Sequence, residues 1–443
     1  MTDFKGRGDL GDLADADEGI LFVFHGGTIE QMTDEFNDTY DGRGGNDSIY
    51  AGQTHDTVIG GSGDDDLNGG GGQDWVYGGT GNDTITSDNT AFSTFDQLFG
   101  GAGNDVIFGG DGAEVFEGGR GVDSIYGGTN VDVIRILDGD EIDYIDAGGT
   151  LLDGIDTLEL SFIKSVGAVV NLETQKYHLV GGRVQTILNV EWISGTQKAD
   201  IFTGTASEET FVGHNGRDLF YGRAGVDNLS GNKGLDTLYG EEGNDGLFGG
   251  TSADELYGGL GNDYLDGDTA VDSLYGGAGN DTLGAGSGND LLFGGIGHDA
   301  LIGIEGDDML DAAEGNDMLD GGTGNDTLTS GAGADHFMFT TGVLNAHNVD
   351  VMMDFQQGLD LIGLFDPTGL NFAVLGESVD AGEVVNGTRA LDDDDHLIYD
   401  AATGTLYLDV DGVGGAAKVA FAVLANTPAA LTAEDFFLPA FPG

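Results

Sequence analysis

The sequence predicts an all-β chain, a parallel β-solenoid of tandem nonapeptides followed by a C-terminal β-rich module, on three observations. A carboxylate stands at every ninth position from Asp200 to Asp335, sixteen in unbroken register, fifteen Asp and one Glu (Glu209). Two residues after each comes an apolar side chain, from Phe202 through Leu238, Leu274 and Leu310 to Phe337. Two residues before it usually comes Gly, as at Gly216, Gly243, Gly279 and Gly324. A tight turn, a carboxylate and one inward apolar residue at period nine describe short strands stacked into coils.

The elements follow in chain order. Residues 1–32 form a short cap segment. Residues 33–135 form a first array, with Asp38, Asp47, Asp56, Asp65, Asp74 and Asp83 spaced by nine and Tyr40, Ile49, Val58, Leu67, Val76 and Ile85 at the apolar position. Four extra residues around Ser87–Thr90 shift the phase, which resumes at Asp96, Asp105, Glu114, Asp123 and Asp132. Residues 136–194 keep only echoes of the period, in Asp143–Tyr144–Ile145 and Asp156–Thr157–Leu158, and read as longer, metal-poor rungs. Their runs Ala168–Leu172 and Val184–Ile193 are apolar and β-branched, as strands are. Residues 195–338 carry the sixteen-repeat array. Residues 339–443 hold apolar β-like runs and every Pro, and read as a separate module.

Composition excludes several classes. Acidic residues outnumber basic ones 79 to 14, for a net charge of -65. Nucleic acid and anionic membrane surfaces are therefore excluded as partners, since both are bound by basic patches. Cys is absent, so disulfides and thiolate metal sites are impossible. No apolar run approaches a membrane span. The N-terminus, Met1–Glu18, is acidic and has no apolar core of a cleavable signal.

The repeat reads G-G-x-G-x-D-x-U-x, with U apolar, and Gly276–Gly277–Ala278–Gly279–Asn280–Asp281–Thr282–Leu283 shows eight of its nine positions. Its first six residues make a turn whose glycines accept left-handed torsions. Asn just before the carboxylate (Asn46, Asn82, Asn104, Asn244, Asn262, Asn280, Asn289, Asn316, Asn325) is expected to share that tolerance. The last three residues form a short strand, and two repeats close one coil, so alternate carboxylates stack along one edge. Strands lie about 4.8 Å apart, and unit charges at that distance repel by about 3.5 kcal/mol at an effective dielectric of 20. A divalent ion between turns removes that repulsion. Oxygen ligands in flexible Gly-rich loops suit calcium better than magnesium, and the 8 scattered His offer no imidazole site.

The expected ligands are Asp47, Asp56, Asp65, Asp74, Asp83, Asp96, Asp105, Asp123 and Asp132 in the first array. In the second they are Asp200, Asp218, Asp227, Asp236, Asp245, Asp254, Asp263, Asp272, Asp281, Asp290, Asp299, Asp308, Asp317, Asp326 and Asp335. Loops in which Lys198, Ser207, Ser252 or Ala270 replaces the fourth-position Gly, or Glu114 or Glu209 replaces Asp, are expected to be weak or empty. The plainer alternative is a row of solvated turn residues in an acidic disordered chain. It does not account for an apolar residue two positions after all sixteen carboxylates.

These residues, about Thr33–Met338, resemble the repeats-in-toxin (RTX) family of secreted calcium-binding proteins. The resemblance implies a parallel β-roll in which successive same-edge loops share ions, and roughly twenty Ca2+ in all. The tail resembles the C-terminal region of many members, in Ala334–Asp335–His336–Phe337–Met338–Phe339, Asp350–Val351–Met352–Met353–Asp354–Phe355, Asp360–Leu361–Ile362, Leu397–Ile398–Tyr399–Asp400, Thr403–Gly404–Thr405–Leu406 and Asp409–Val410–Asp411–Gly412. The end, Ala433–Glu434–Asp435–Phe436–Phe437–Leu438, resembles an uncleaved type I secretion signal. That implies a type I transporter as partner and an extracellular location, with Leu438–Pro439–Ala440–Phe441–Pro442–Gly443 as a departure from the pattern.

No enzyme is legible. Residues 1–32 are too few for a catalytic domain, and neither H-E-x-x-H nor G-x-S-x-G occurs. His25, His178 and His396 read as ordinary residues. Asp392–Asp395 reads as a solvated loop, the D-x-D-G turn at Asp409 and Asp411 likewise, and Asp15 with Asp17 makes only a faint EF-hand echo. The expected role is a non-catalytic surface, matrix or scaffold protein, with extracellular polysaccharide or a cell surface as partner. The competing reading is part of a polysaccharide-acting enzyme, and incubation with alginate-type polymers separates the two. A remote alternative is ice binding through a Thr row at Thr251, Thr269 and Thr323, which Ser287 and Glu305 interrupt.

Overall fold

Alternate nonapeptides enter alternate sheets, so each strand pairs in parallel with the strand two repeats away, as Leu247 does with Leu265 and Leu256 with Leu274. The computed structural model describes residues 14–16, 19–23, 37–89, 95–140, 142–148, 154–340, 348–365, 379–380, 382–391, 395–409 and 418–438. His25, Asp17, Asp392–Asp394, Asp411, Gly412 and the last five residues lie outside them. The chain forms two compact units, Met1–Thr205 with Glu209–Gly216, and Ala206–Glu208 with Arg217–Gly443. The fold is a parallel β-solenoid, as expected.

In the first unit one sheet runs through Thr39–Asp41, Thr57–Ser62, Trp75–Thr80, Gln97–Ala102, Val115–Arg120, Val133–Arg135, Thr157–Glu159 and Trp192–Ser194. The other runs through Ser48–Tyr50, Asp66–Asn68, Thr84–Asn89, Val106–Gly110, Asp123–Gly128 and Ile142–Gly148. The four extra residues are taken up between coils, because Val76 still pairs with Leu98. The echoes at Ile145 and Leu158 are real rungs whose side chains are fully buried. One element escapes a period-based reading. Gln185–Leu188 continues the sheet in parallel from Ile142–Gly148 and Ala168–Asn171 passes it on in parallel to Ile201–Thr203, with Lys176–Leu179 inserted antiparallel between them.

In the second unit Leu219–Gly225, Thr237–Gly243, Glu255–Leu260, Ser273–Ala278, Leu291–Ile296, Met309–Glu314 and Thr327–Thr329 form one sheet, and Asp350–Met352 and Val419–Leu424 extend it. The second sheet runs from Asn228–Gly234 to His336–Phe339 and continues through Leu361–Leu364 to Phe436–Phe437. The C-terminal residues thus prolong both sheets before Leu397–Asp400, Thr405–Leu408 and Val419–Leu424 turn antiparallel. On the outer face Tyr221, Tyr239, Tyr257, Tyr275 and Phe293 stack ring on ring, 4.7–5.1 Å apart and within 10° of parallel.

The core is a file of eighth-position side chains, among them Leu229, Leu238, Leu247, Leu256, Leu265 and Leu274, all fully buried. One such residue contributes about 1.5–3 kcal/mol, which does not offset the ordering of nine Gly-rich residues. Strands run to six residues rather than three, because the turn glycines also join the ladder. At the second and fourth positions the backbone is left-handed, as at Gly277 (φ 114°) and Gly279 (φ 139°). Ser252 (φ 90°) and Ala270 (φ 98°) keep that conformation with a side chain, at a cost of about 1–3 kcal/mol each.

The fifth-position Asn residues do something other than expected. None of the nine is left-handed. Each side-chain oxygen instead accepts the backbone N–H one coil further on, as Asn244 does from Asn262, Asn262 from Asn280 and Asn280 from His298, at 2.7–2.8 Å. The short amide is chosen for its acceptor, and a second polar ladder runs outside the carboxylates.

Candidate metal centres

In each unit the repeat carboxylates form two ladders, one along each edge of its coils. In the regular coils the N–H of one donates to Oδ1 of the carboxylate 18 residues on: Asp245 to Asp263 (2.9 Å), Asp263 to Asp281 (2.8 Å), Asp281 to Asp299 (2.9 Å) on one edge. Asp236, Asp254, Asp272 and Asp290 do the same on the other, at 2.7–2.8 Å. These carboxylates are at most 2 % exposed. Their Oδ2 atoms are the notable feature: from Asp236 to Asp335 each is buried without a hydrogen-bond donor. Asp65, Asp74, Asp83, Asp105 and Asp132 repeat this in the first unit. A buried carboxylate oxygen left without a partner is costly, so the arrangement calls for a cation.

In the loops that carry it, the first-position glycine makes the gap beside Oδ2. A Cβ on Gly276 would lie 2.5 Å from Asp281 Oδ2 and 2.8 Å from the carbonyl oxygen of Gly294, one coil on. On Gly100 it would lie 2.5 Å from both Asp105 Oδ2 and the Gly118 carbonyl oxygen. The missing side chain leaves a carboxylate and a carbonyl facing one space. Sequence reasoning missed this role, and missed that Ala51, Ala285 and Ala312 occupy the same position in the Asp56, Asp290 and Asp317 loops. Among the described residues no three His, Asp or Glu side chains converge. A cation here takes carboxylate together with main-chain oxygen, the donor set of calcium.

The electrostatics point the same way. Burial, and then the carboxylates one coil away, push Asp254, Asp272, Asp281 and Asp308 up to about 7 from an ordinary 3.8, against the lowering effect of the ladder N–H. Burial pushes Asp74 up to about 8. A metal-free coil near neutral pH therefore holds these groups at the margin of ionisation.

Some expected ligands differ. Both oxygens of Asp200 are taken, Oδ1 by the Ala168 N–H (2.6 Å) and Thr196 Oγ1 (2.9 Å), and Oδ2 by the Thr196 N–H (2.7 Å). Ser87 Oγ donates to Asp96 Oδ2. Thr205 likewise occupies both oxygens of Glu209 through its N–H and hydroxyl. Conversely, Asp156 joins the ladder outside the strict period, accepting the Asp132 N–H at 2.8 Å. Its signal was the Asp–Thr–Leu triplet, without the spacing.

Of the other acids and histidines considered, His396 Nδ1 lies 2.8 Å from the Asp409 carbonyl oxygen. Asp395 Oδ2 accepts the Leu391 N–H at 2.5 Å. Thr251, Thr269, Ser287, Glu305 and Thr323 do line up across adjacent strands, with the interruptions the sequence shows.

The RTX calcium-binding nonapeptide repeat, as a family model, matches residues 32–67, 50–85, 90–125, 108–140, 189–220, 221–254, 239–274, 248–283, 266–301 and 302–337, together more than half of the chain. The chain belongs to the RTX repeat family. No curated protein matches it. The RTX matches cover both ladders, so the repeats that leave Oδ2 unpartnered are the family's calcium-binding units. No described helix is long and apolar enough to cross a membrane.

Proposed function

We propose that the protein is a secreted, non-catalytic calcium-binding β-roll whose ions complete its fold, and that it serves as a surface, matrix or scaffold element. The observation that carries the reading is the file of buried, donor-less Oδ2 atoms facing carbonyl oxygens of the next coil. The ligands are the repeat Asp residues of both ladders, with Asp200 and Asp96 the weakest because protein donors already hold their second oxygens. Each interior ion is shared by successive same-edge loops, so damage propagates along an edge.

That sharing is testable by counting calcium at saturation. Asp281→Ala is expected to lose ions against both Asp263 and Asp299, its ladder neighbours. Asp272→Ala, in the loop strained by Ala270, is expected to lose fewer. Equal losses in the two variants would refute the assignment.

For export we propose a type I transporter that reads the C-terminal residues of an unfolded chain. Extracellular calcium modules bind at about 10⁻⁴–10⁻³ M, well above cytosolic calcium, which keeps the chain loose until it emerges. In the folded protein Leu431 and Phe436 are buried, and Phe436–Phe437 closes the edge beside Ile362–Gly363. Removing Leu431–Gly443 is expected to abolish secretion from a host carrying the transporter, while calcium still folds the purified repeats. Appearance of the truncated chain in the medium would reject the signal.

A further inference from the structure

We infer that a divalent-cation site lies one step beyond the last matched repeat, between Asp326 and Asp350, and that it fastens the C-terminal strands to the final coil. The inference rests on the reading that the repeat carboxylates hold calcium, and carries it to a residue outside every matched stretch.

Asp350 stands 24 residues after Asp326, so no nonapeptide count reaches it. It nevertheless takes the next rung. Its Oδ1 accepts the Asp326 N–H at 3.1 Å, its strand Asp350–Met352 pairs with Thr327–Thr329, and Met352 fills the inward position, fully buried. Asp326 is 0 % exposed and Asp350 1 %. Asp326 Oδ2 has no donor. The side chain within hydrogen-bonding reach of the Asp326 carboxyl is another carboxyl, that of Asp350. Among the described residues no ion pair with Lys, Arg or His serves either group. Two buried carboxyls facing each other with an unpartnered oxygen need a shared positive charge, and a divalent cation supplies it.

The opposite edge ends differently. Asp360 accepts the Asp335 N–H on Oδ1 (3.1 Å), and the Gln356 N–H, four residues back in its own loop, on Oδ2 (2.7 Å). The outermost carboxylate there is held on both oxygens by peptide amides, although Asp335 Oδ2, like Asp326 Oδ2, has no donor. Asp200 is closed by Thr196 in the same way. The outermost carboxylate of one edge is thus held by amides, whereas that of the other faces the Asp326 carboxyl.

The test compares wild-type protein with Asp350→Asn and Asp360→Asn, reading bound calcium at saturation by atomic emission and hydrogen exchange with and without calcium. Asp350→Asn is expected to bind one ion fewer, and its amides in Asp350–Met352 and Val419–Leu424 to exchange at least tenfold faster in calcium. Asp360→Asn is expected to keep the wild-type count. A full count or wild-type protection in Asp350→Asn would overturn the site and show a proton-sharing pair that the amide reproduces. Wild-type protein without bound calcium would overturn both this site and the reading of the repeats, whereas binding with no deficit in Asp350→Asn overturns this site alone.

Discussion

In chelator the far-ultraviolet circular dichroism of the protein is expected to show a largely disordered chain, and millimolar calcium to restore β-structure in one cooperative transition. The reason lies in the core. Each nonapeptide buries a single apolar side chain and, beside it, a carboxylate at most a few per cent exposed. Without cations the ladders stack like charges in positions shielded from water, within a chain carrying a net -65. Ion binding and folding are then one equilibrium, and the binding free energy is folding free energy. Magnesium at the same concentration is expected to leave the spectrum unchanged, because its small, regular shell does not match a gap lined by one carboxylate oxygen and a main-chain carbonyl. Identical spectra in chelator and in calcium would end the argument.

Acidification is expected to act in opposite directions on the metal-free and calcium-loaded states. In the metal-free coil burial raises Asp254, Asp272, Asp281 and Asp308 to about 7 and Asp74 to about 8, while in the unfolded chain they titrate near an ordinary 3.8. The coil binds more protons than the unfolded chain between those values. Protonation thus contributes stability that is complete below about 4 and is lost as pH rises through 6 to 8. Calcium-free protein should gain β-structure between pH 8 and pH 4. Calcium needs the carboxylates ionised and competes with the same protons, so its midpoint should rise below pH 7, roughly tenfold per pH unit for each proton displaced. A calcium midpoint constant from pH 8 to pH 6 would contradict the pairing of ions with these ladders.

Much of this was legible in the sequence because the period is strict where the coil is regular. Nine residues per strand and 18 per coil place Asp263, Asp281 and Asp299 on one edge, and that spacing is the one their hydrogen bonds use. The four-residue insertion after Asp83 was readable as a phase shift, and the carboxylate ladder continues across it, with one register shift between Phe108 and Gly110 where Val106–Gly110 pairs with Thr84–Asn89. What stayed hidden depends on direction and not on spacing. The first-position glycine looks like any turn residue until its absent Cβ is seen between Asp281 Oδ2 and the Gly294 carbonyl oxygen. The fifth-position Asn looked like a torsion-tolerant residue, although its worth is an acceptor aimed along the stack. Rungs at Asp156, Asp350 and Asp360 sit 24 or 25 residues beyond their partners, where a period offers no guide.

The stacked rings on the outer face give the molecule an optical signature. Tyr221, Tyr239, Tyr257, Tyr275 and Phe293 come from five successive coils, and their overlap exists only while those coils are in register. Exciton coupling among the phenols therefore reports stacking order itself, whereas far-ultraviolet bands report only strand content. Both tryptophans, Trp75 and Trp192, belong to the first unit. Indole emission accordingly follows the first unit alone, while the near-parallel run of four tyrosines belongs to the second.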